Sequence, residues 1–236
     1  WGGGSRKQRS RVAIVAEACR GLAFAHNVTD NSGEHLGLVH RDVSPHNLFV
    51  TFAGEVKLMD FGIARLMNTE LGRIAGSTPG RPGGGKYAYM SPEQAHGKKV
   101  DRRTDVFSAG IVLWELIVGH RLYQDPDPTV KLEAVKKAEI PHPNTFGADI
   151  DDALWGILCR ALSRDPNDRY ATAAAMEEEL RTWIYSERSR VEAANIPRFM
   201  QRAFPSELGR GASQADLRRI AEDVDRLGGG DGSATS

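Results

Sequence analysis

The sequence predicts a mainly α-helical domain of the α+β class, in which short strands bracket one polar loop. Three observations predict it. Residues 104–118 are apolar almost all round, so they read as a helix buried on every side. Residues 12–26, 150–162 and 172–185 carry apolar side chains at helical spacing. Between the first of these and the buried helix lie three short apolar runs, 37–40, 48–51 and 56–59, whose length suits the strands of small hairpins.

Composition narrows the function classes. Lys plus Arg and Asp plus Glu both number 31, so no net field draws the chain to nucleic acid or to an anionic membrane, and neither is expected as a partner. The longest apolar run, 111–118, is broken by Glu115 and cannot cross a bilayer. No signal peptide precedes the first helix, and a cytoplasmic location is expected. Cys19 and Cys159 sit in apolar helical patterns and are expected to pack rather than react.

Along the chain, residues 1–10 are Gly-rich and then basic, and read as a linker. Residues 11–186 form the domain. Ala53-Gly54 is the turn between the second and third apolar runs. Residues 68–85, rich in Gly, Pro, Ser and Thr, form a long loop, and Asp165-Pro166 separates the last two helices. Residues 187–236 are a tail. In it Pro197 and Pro205 bracket Phe199, Met200 and Phe204. Ser213 with Asp216 opens one short helix over 213–227, and the end is expected to be disordered.

The chemistry sits in His40-Arg41-Asp42-Val43-Ser44-Pro45-His46-Asn47, then Asp60-Phe61-Gly62, then Ser91-Pro92-Glu93. Asp42 and Asn47 alone could be turn residues. The order and spacing of all three motifs argue for more. Gly80 to Lys86 fits a phosphate-loop pattern, but Tyr87 stands where a metal-binding Ser or Thr is needed, and no apolar strand precedes it.

On these motifs the chain resembles the C-terminal large lobe of a eukaryotic-type (Hanks-type) Ser/Thr protein kinase of the bacterial kind, over residues 11–186. The resemblance implies a kinase-like large lobe with short β-hairpins around the catalytic loop. It implies ATP as co-substrate, Mg²⁺ or Mn²⁺ as metal, and a protein substrate. Asp42 would be the base, Asn47 and Asp60 the metal ligands, and Leu48 with them would meet the nucleotide. Arg41 would pair with a phosphorylated activation loop, with Thr69, Ser77 and Thr78 as candidate acceptors. Glu93 would pair with Arg169, Asp105 would hold the catalytic-loop backbone, and His40 would meet Phe61.

Two departures stand out. Against the family pattern, Ser44 stands where most members have a catalytic-loop Lys, and Lys86 where most have a Thr in the docking loop. This reads either as two unrelated losses that mark a weak or dead kinase or as an exchange of places, and the exchange is favoured because one cation and one hydroxyl are kept. Ser44 and Lys86 therefore join Asp42 as catalytic candidates. No glycine-rich loop or strand lysine precedes His40, so the small lobe is read as absent and expected upstream, in keeping with a first residue, Trp1, that is not Met. The isolated chain is then expected to be nearly inactive. Two other readings compete: a non-catalytic, pseudokinase-like interaction module, and a small-molecule phosphotransferase. Ser91-Pro92-Glu93 and the long activation segment argue against the second.

Overall fold

A computed structural model describes residues 3–61, 86–186 and 196–203. Helix α1, Gly3–His26, buries Val12, Val15, Cys19 and Leu22 along one stripe. It starts inside the expected linker, so residues 3–10 are helical. Tertiary contacts explain the difference. Arg9 and Ser10 are buried, and the Gln8 amide donates to the Asp149 carbonyl at 3.0 Å. Such contacts overcome the roughly 1 kcal/mol that each helical glycine costs.

Past the catalytic loop, β1 (Leu48–Val50) pairs antiparallel with β2 (Val56–Leu58), with Leu48 opposite Leu58, Phe49 opposite Lys57 and Val50 opposite Val56. The turn between them needs Gly54, whose φ is +87°. This is the one ladder among the described residues, joined by an isolated bridge between Thr29 and His35. The expected strand over 37–40 does not form. The His40 and Arg41 amides donate to the Asp105 carboxylate instead of to a neighbouring strand.

Helix α2 (Pro92–Ala95) opens with a capping box between Ser91 and Gln94. Helix α3 (Arg103–Val118) is the axis of the domain. Every residue from 104 to 115 is buried, and Gly119, at φ +81°, ends it. Gly110 lets the chain at Ala161 and Leu162 come close: a Cβ there would lie 3.0 Å from the Leu162 side chain. Helix α4 (Pro128–Lys137) packs beside α2, whereas α5 (Asp152–Ala161) and α6 (Ala173–Tyr185) cover α3 together with α1. Asp151 and Thr172 cap α5 and α6 by accepting from the Leu154 and Ala175 amides.

Cys19 is fully buried, and burial with the nearby Glu177 pushes its thiol up to about 12. Cys159 is exposed, contrary to the expected packing, because its position on α5 faces away from the buried Leu154, Ile157 and Leu158. In the tail, α7 (Ile196–Ala203) is a helix the sequence did not announce; the expected helix over 213–227 lies outside the described residues, as does the loop 68–85. No helix among the described residues is long and apolar enough to cross a membrane.

Candidate active site

The site is built from the first turn of α3. The Asp105 carboxylate, fully buried, accepts from the His40 amide at 2.8 Å and from the Arg41 amide at 2.8 Å. His26 Nε2, at the end of α1, donates to the same carboxylate at 2.8 Å. Arg41 holds a left-handed backbone, φ +65°, which is costly for a residue with a Cβ and survives only where the surroundings over-determine it. Here they do. Asp105 takes its amide, and the Gln94 side chain donates to its carbonyl at 3.0 Å. The Arg41 Nε is buried without a partner among the described residues.

His40 ties the loop to the hairpin. Its Nε2 donates to the Met59 carbonyl at 2.9 Å, so its Nδ1 is free to accept from the Asp42 amide at 3.3 Å. Those two contacts specify the tautomer. Asn47 closes the loop: its Nδ2 donates to the Asp42 carbonyl at 2.8 Å, and its amide donates to the Ser44 carbonyl at 3.0 Å. The Asn47 carbonyl accepts from the Met59 amide at 2.8 Å, placing the residue before Asp60 directly across from Asn47. Asp60 is exposed and also left-handed, φ +58°, and the Phe61 ring lies 4.5 Å from that of His40.

Asp42, Asn47 and Asp60 thus come to one edge of the hairpin. With the Asn47 Nδ2 committed to the loop, its Oδ1 remains as a neutral oxygen donor, and Asp60, which follows the residue bonded to the Asn47 carbonyl, offers an exposed carboxylate. That donor set fits a hard divalent cation such as Mg²⁺, which keeps several of its waters.

The strand alternation places one expected site residue on the inner face. Leu48 is half-buried and packs inward against the core, so it does not face the open edge. Phe49, on the other face of β1, is 55% exposed. The signal was in the sequence: Lys57, opposite Phe49, marks the outer face, and Val50, Val56 and Leu58 share the inner one. Ser44 is buried. Lys86 begins a 3-10 turn, Lys86–Tyr89, but its side chain lies outside the described residues, as do Thr69, Ser77 and Thr78.

Two polar arrangements, the first an ion pair, brace the stretch that follows. The Arg169 guanidinium donates to both Glu93 oxygens at 2.8 Å, and its remaining donors go to the Ser163, Arg164 and Arg103 carbonyls. The Thr104 hydroxyl donates to Glu93 at 2.6 Å. Burial pushes the Glu93 carboxyl up, but the Arg169 and Thr104 hydrogen bonds and the Arg169 charge outweigh it and hold the group below the usual carboxylate range. The second arrangement was not read from the sequence. The Tyr89 hydroxyl donates to Glu115 at 2.6 Å, Arg121 contacts that hydroxyl, and the Leu122 amide donates to the other Glu115 oxygen at 3.0 Å.

Comparison with known proteins agrees with this geometry. A family model described as protein kinase domain matches residues 4–181. The chain is 38% identical over 200 residues to the tyrosine-protein kinase MasK of Myxococcus xanthus, covering 83% of this chain and 30% of that one. It is 37% identical over 173 residues to the serine/threonine-protein kinase PknB of Mycolicibacterium smegmatis, covering 73% and 26%. The chain therefore spans under a third of the length of these relatives. The twitchin kinase region from C. elegans shares the fold, with a TM-score of 0.56 over 73% of this chain and 28% of that one, at 24% identity. A helical core built on α3, a loop hung from Asp105 and a kinase match over most of the residues agree: the chain belongs to the protein kinase family, in its bacterial Hanks-type branch.

Proposed function

We propose that the chain supplies the large-lobe half of a Ser/Thr protein kinase that transfers the γ-phosphoryl group of ATP to a protein hydroxyl. The observation that carries the reading is the closure of Asn47 on the Asp42 carbonyl, with the Asn47 carbonyl bonded to the amide before Asp60. Catalysis of this transfer is mostly positioning and charge neutralisation, and a closure that ties the backbones of Asp42, Asn47 and Met59 together supports that reading. Asp42 receives the acceptor's proton. Asn47 and Asp60 hold Mg²⁺ or Mn²⁺, which neutralises phosphate charge when bound. Phe49, rather than Leu48, offers the open apolar surface beside Asn47 on which a nucleotide base can lie. Ser44 and Lys86 act as one exchanged pair, with Lys86 supplying the cation that the catalytic loop lacks. Ser/Thr acceptors are preferred to Tyr because the stretch from Asp42 to Asn47 lacks the Ala/Arg pattern of tyrosine kinases.

A glycine-rich lobe to cover ATP belongs to the same reading, since no such loop precedes His40 in this sequence. The chain alone should then transfer phosphate far below the roughly 1–100 s⁻¹ of intact kinases. The test uses labelled ATP, Mg²⁺ and a Ser/Thr/Tyr peptide library, with the chain alone and with a longer kinase made by joining a kinase small lobe to its N-terminal end. In the longer kinase, Asp42→Asn should abolish transfer with nucleotide affinity retained, and Asp60→Asn should also weaken metal-dependent nucleotide binding. Equal effects on affinity would refute the division of roles. No transfer by the longer kinase at all would favour the interaction-module reading.

A further inference from the structure

Two hydrophobic clusters support the β1–β2 hairpin from opposite ends. The main core reaches Leu48 and Leu58, the pair next to Asn47 and Met59. A second, smaller cluster of Ile14, Ile196 and Met200 reaches Leu48, Val50 and Val56, and so covers the pair nearest the turn. Ile196 and Met200 belong to α7. They are four residues apart, project from one face and are both buried, whereas the neighbouring Gln201 is exposed. Pro197 lies against the turn itself: a Cβ on Gly54 would sit 2.5 Å from Pro197 Cδ and 2.7 Å from its Cγ. A hairpin with three residues per strand has little stability of its own. What covers Val50 and Val56 therefore decides how well its far end is ordered. The segment doing so lies beyond residue 181, where the kinase match ends.

We propose that α7 is a clamp acting in cis. Its Ile196–Met200 face fills a helix-binding groove formed by Ile14, Leu48, Val50, Val56 and Leu116, and docking there orders the hairpin that presents Asn47 and leads to Asp60. The occupant is this chain's own helix, because Ile196 and Met200 already bury their side chains in the groove and Pro197 already meets Gly54. The groove is selective by shape. It takes two apolar side chains one helical turn apart, with a compact proline ring meeting a turn that has no Cβ. The clamp stands without the phosphoryl-transfer reading; only its consequence for metal binding rests on that reading.

The test is amide hydrogen exchange on the full chain without nucleotide, comparing wild type with Ile196→Asp and Met200→Asp. Two amides report. That of Thr51 donates to the Glu55 carbonyl at 2.9 Å at the turn end, and that of Met59 donates to the Asn47 carbonyl at 2.8 Å at the site end. Both variants should speed Thr51 exchange by about 10-fold or more, as for local opening of a unit that has lost its packing. Met59 should change less, and Gly119 at the end of α3 should not change. Excess wild-type peptide of residues 195–204 should restore Thr51 protection to the Met200→Asp chain, and the same peptide with Met200→Asp should not. Unchanged Thr51 exchange in both variants would overturn the clamp. So would equal acceleration at Thr51, Met59 and Gly119, which would make α7 a support of the whole domain. Gln201→Asp, on the exposed side, serves as the control and should behave as wild type.

Discussion

Arg41 keeps its left-handed backbone because Asp105 Oδ1 accepts its amide at 2.8 Å. One buried carboxylate at the start of α3 thereby sets the direction in which Asp42 leaves the core. Asp105→Asn keeps the shape but replaces an oxygen by an NH₂ group, which turns a donor toward a donor. At least one of the His40, Arg41 and His26 donors is then left without an acceptor, at a cost of ~1–3 kcal/mol each. Urea unfolding of the two proteins measures the loss, and the amides of His40 and Arg41 should lose their exchange protection first.

The Glu93–Arg169 pair should be costly to break on one side only. Its side chains are 8% and 0% exposed. Removing one partner leaves a buried charge, so Glu93→Ala and Arg169→Ala should each destabilise by ~3–5 kcal/mol. An exposed pair would give under ~1 kcal/mol. A double-mutant cycle read by thermal or urea melts separates the pair from its carbonyl partners. The pH dependence has a definite sign. The folded Glu93 carboxyl titrates below its unfolded value, so its contribution is complete above the unfolded value near ~4.3 and is lost as pH falls through the lower folded one. Glu93→Gln should show a shallower loss of stability than wild type on acidification below about pH 4.

Leu48 and Phe49 should respond in opposite ways. Leu48→Ala removes inward packing and should cost about 2 kcal/mol, the low end for such a truncation because the side chain is only half-buried. Phe49→Ala removes an exposed ring and should change stability by under ~0.5 kcal/mol. In the longer kinase the order reverses, with Phe49→Ala weakening nucleotide binding more than Leu48→Ala. Chemical unfolding paired with nucleotide titration checks both halves.

Lys86 and Ser44 should behave as one functional unit in the longer kinase. Developing phosphate charge needs a cation, and a serine hydroxyl cannot supply one. Lys86→Thr should lower kcat, and adding Ser44→Lys should recover part of the loss; that non-additivity marks a shared role. If Lys86→Thr has no effect on kcat, the exchange is wrong.

Much of the site was legible in the chain itself. The spacing of Asp42, Asn47 and Asp60 pointed to the protein kinase family, which the match over residues 4–181 bears out. The all-round apolarity of 104–118 specified the buried axis, and the resemblance carried by the motifs implied that Glu93 meets Arg169 and that Asp105 meets the loop, as both do. The buried axis is a property of residue type and local period, which a linear pattern carries; the two contacts came from the family likeness and not from any local period. Tertiary structure decided what depends on a distant partner. Residues 3–10 became helix because the side chains of Gln8, Arg9 and Ser10 found the body of the domain. Residues 37–40 formed no strand because Asp105 took the amides of His40 and Arg41, which follow and close that run. Leu48 turned inward and Phe49 outward because the core lies on one side of a two-stranded hairpin, and a period of two does not by itself say which side. Docking of α7 against Gly54 and Val50 rests on apolar complementarity between segments about 140 residues apart, a relationship that no local pattern encodes.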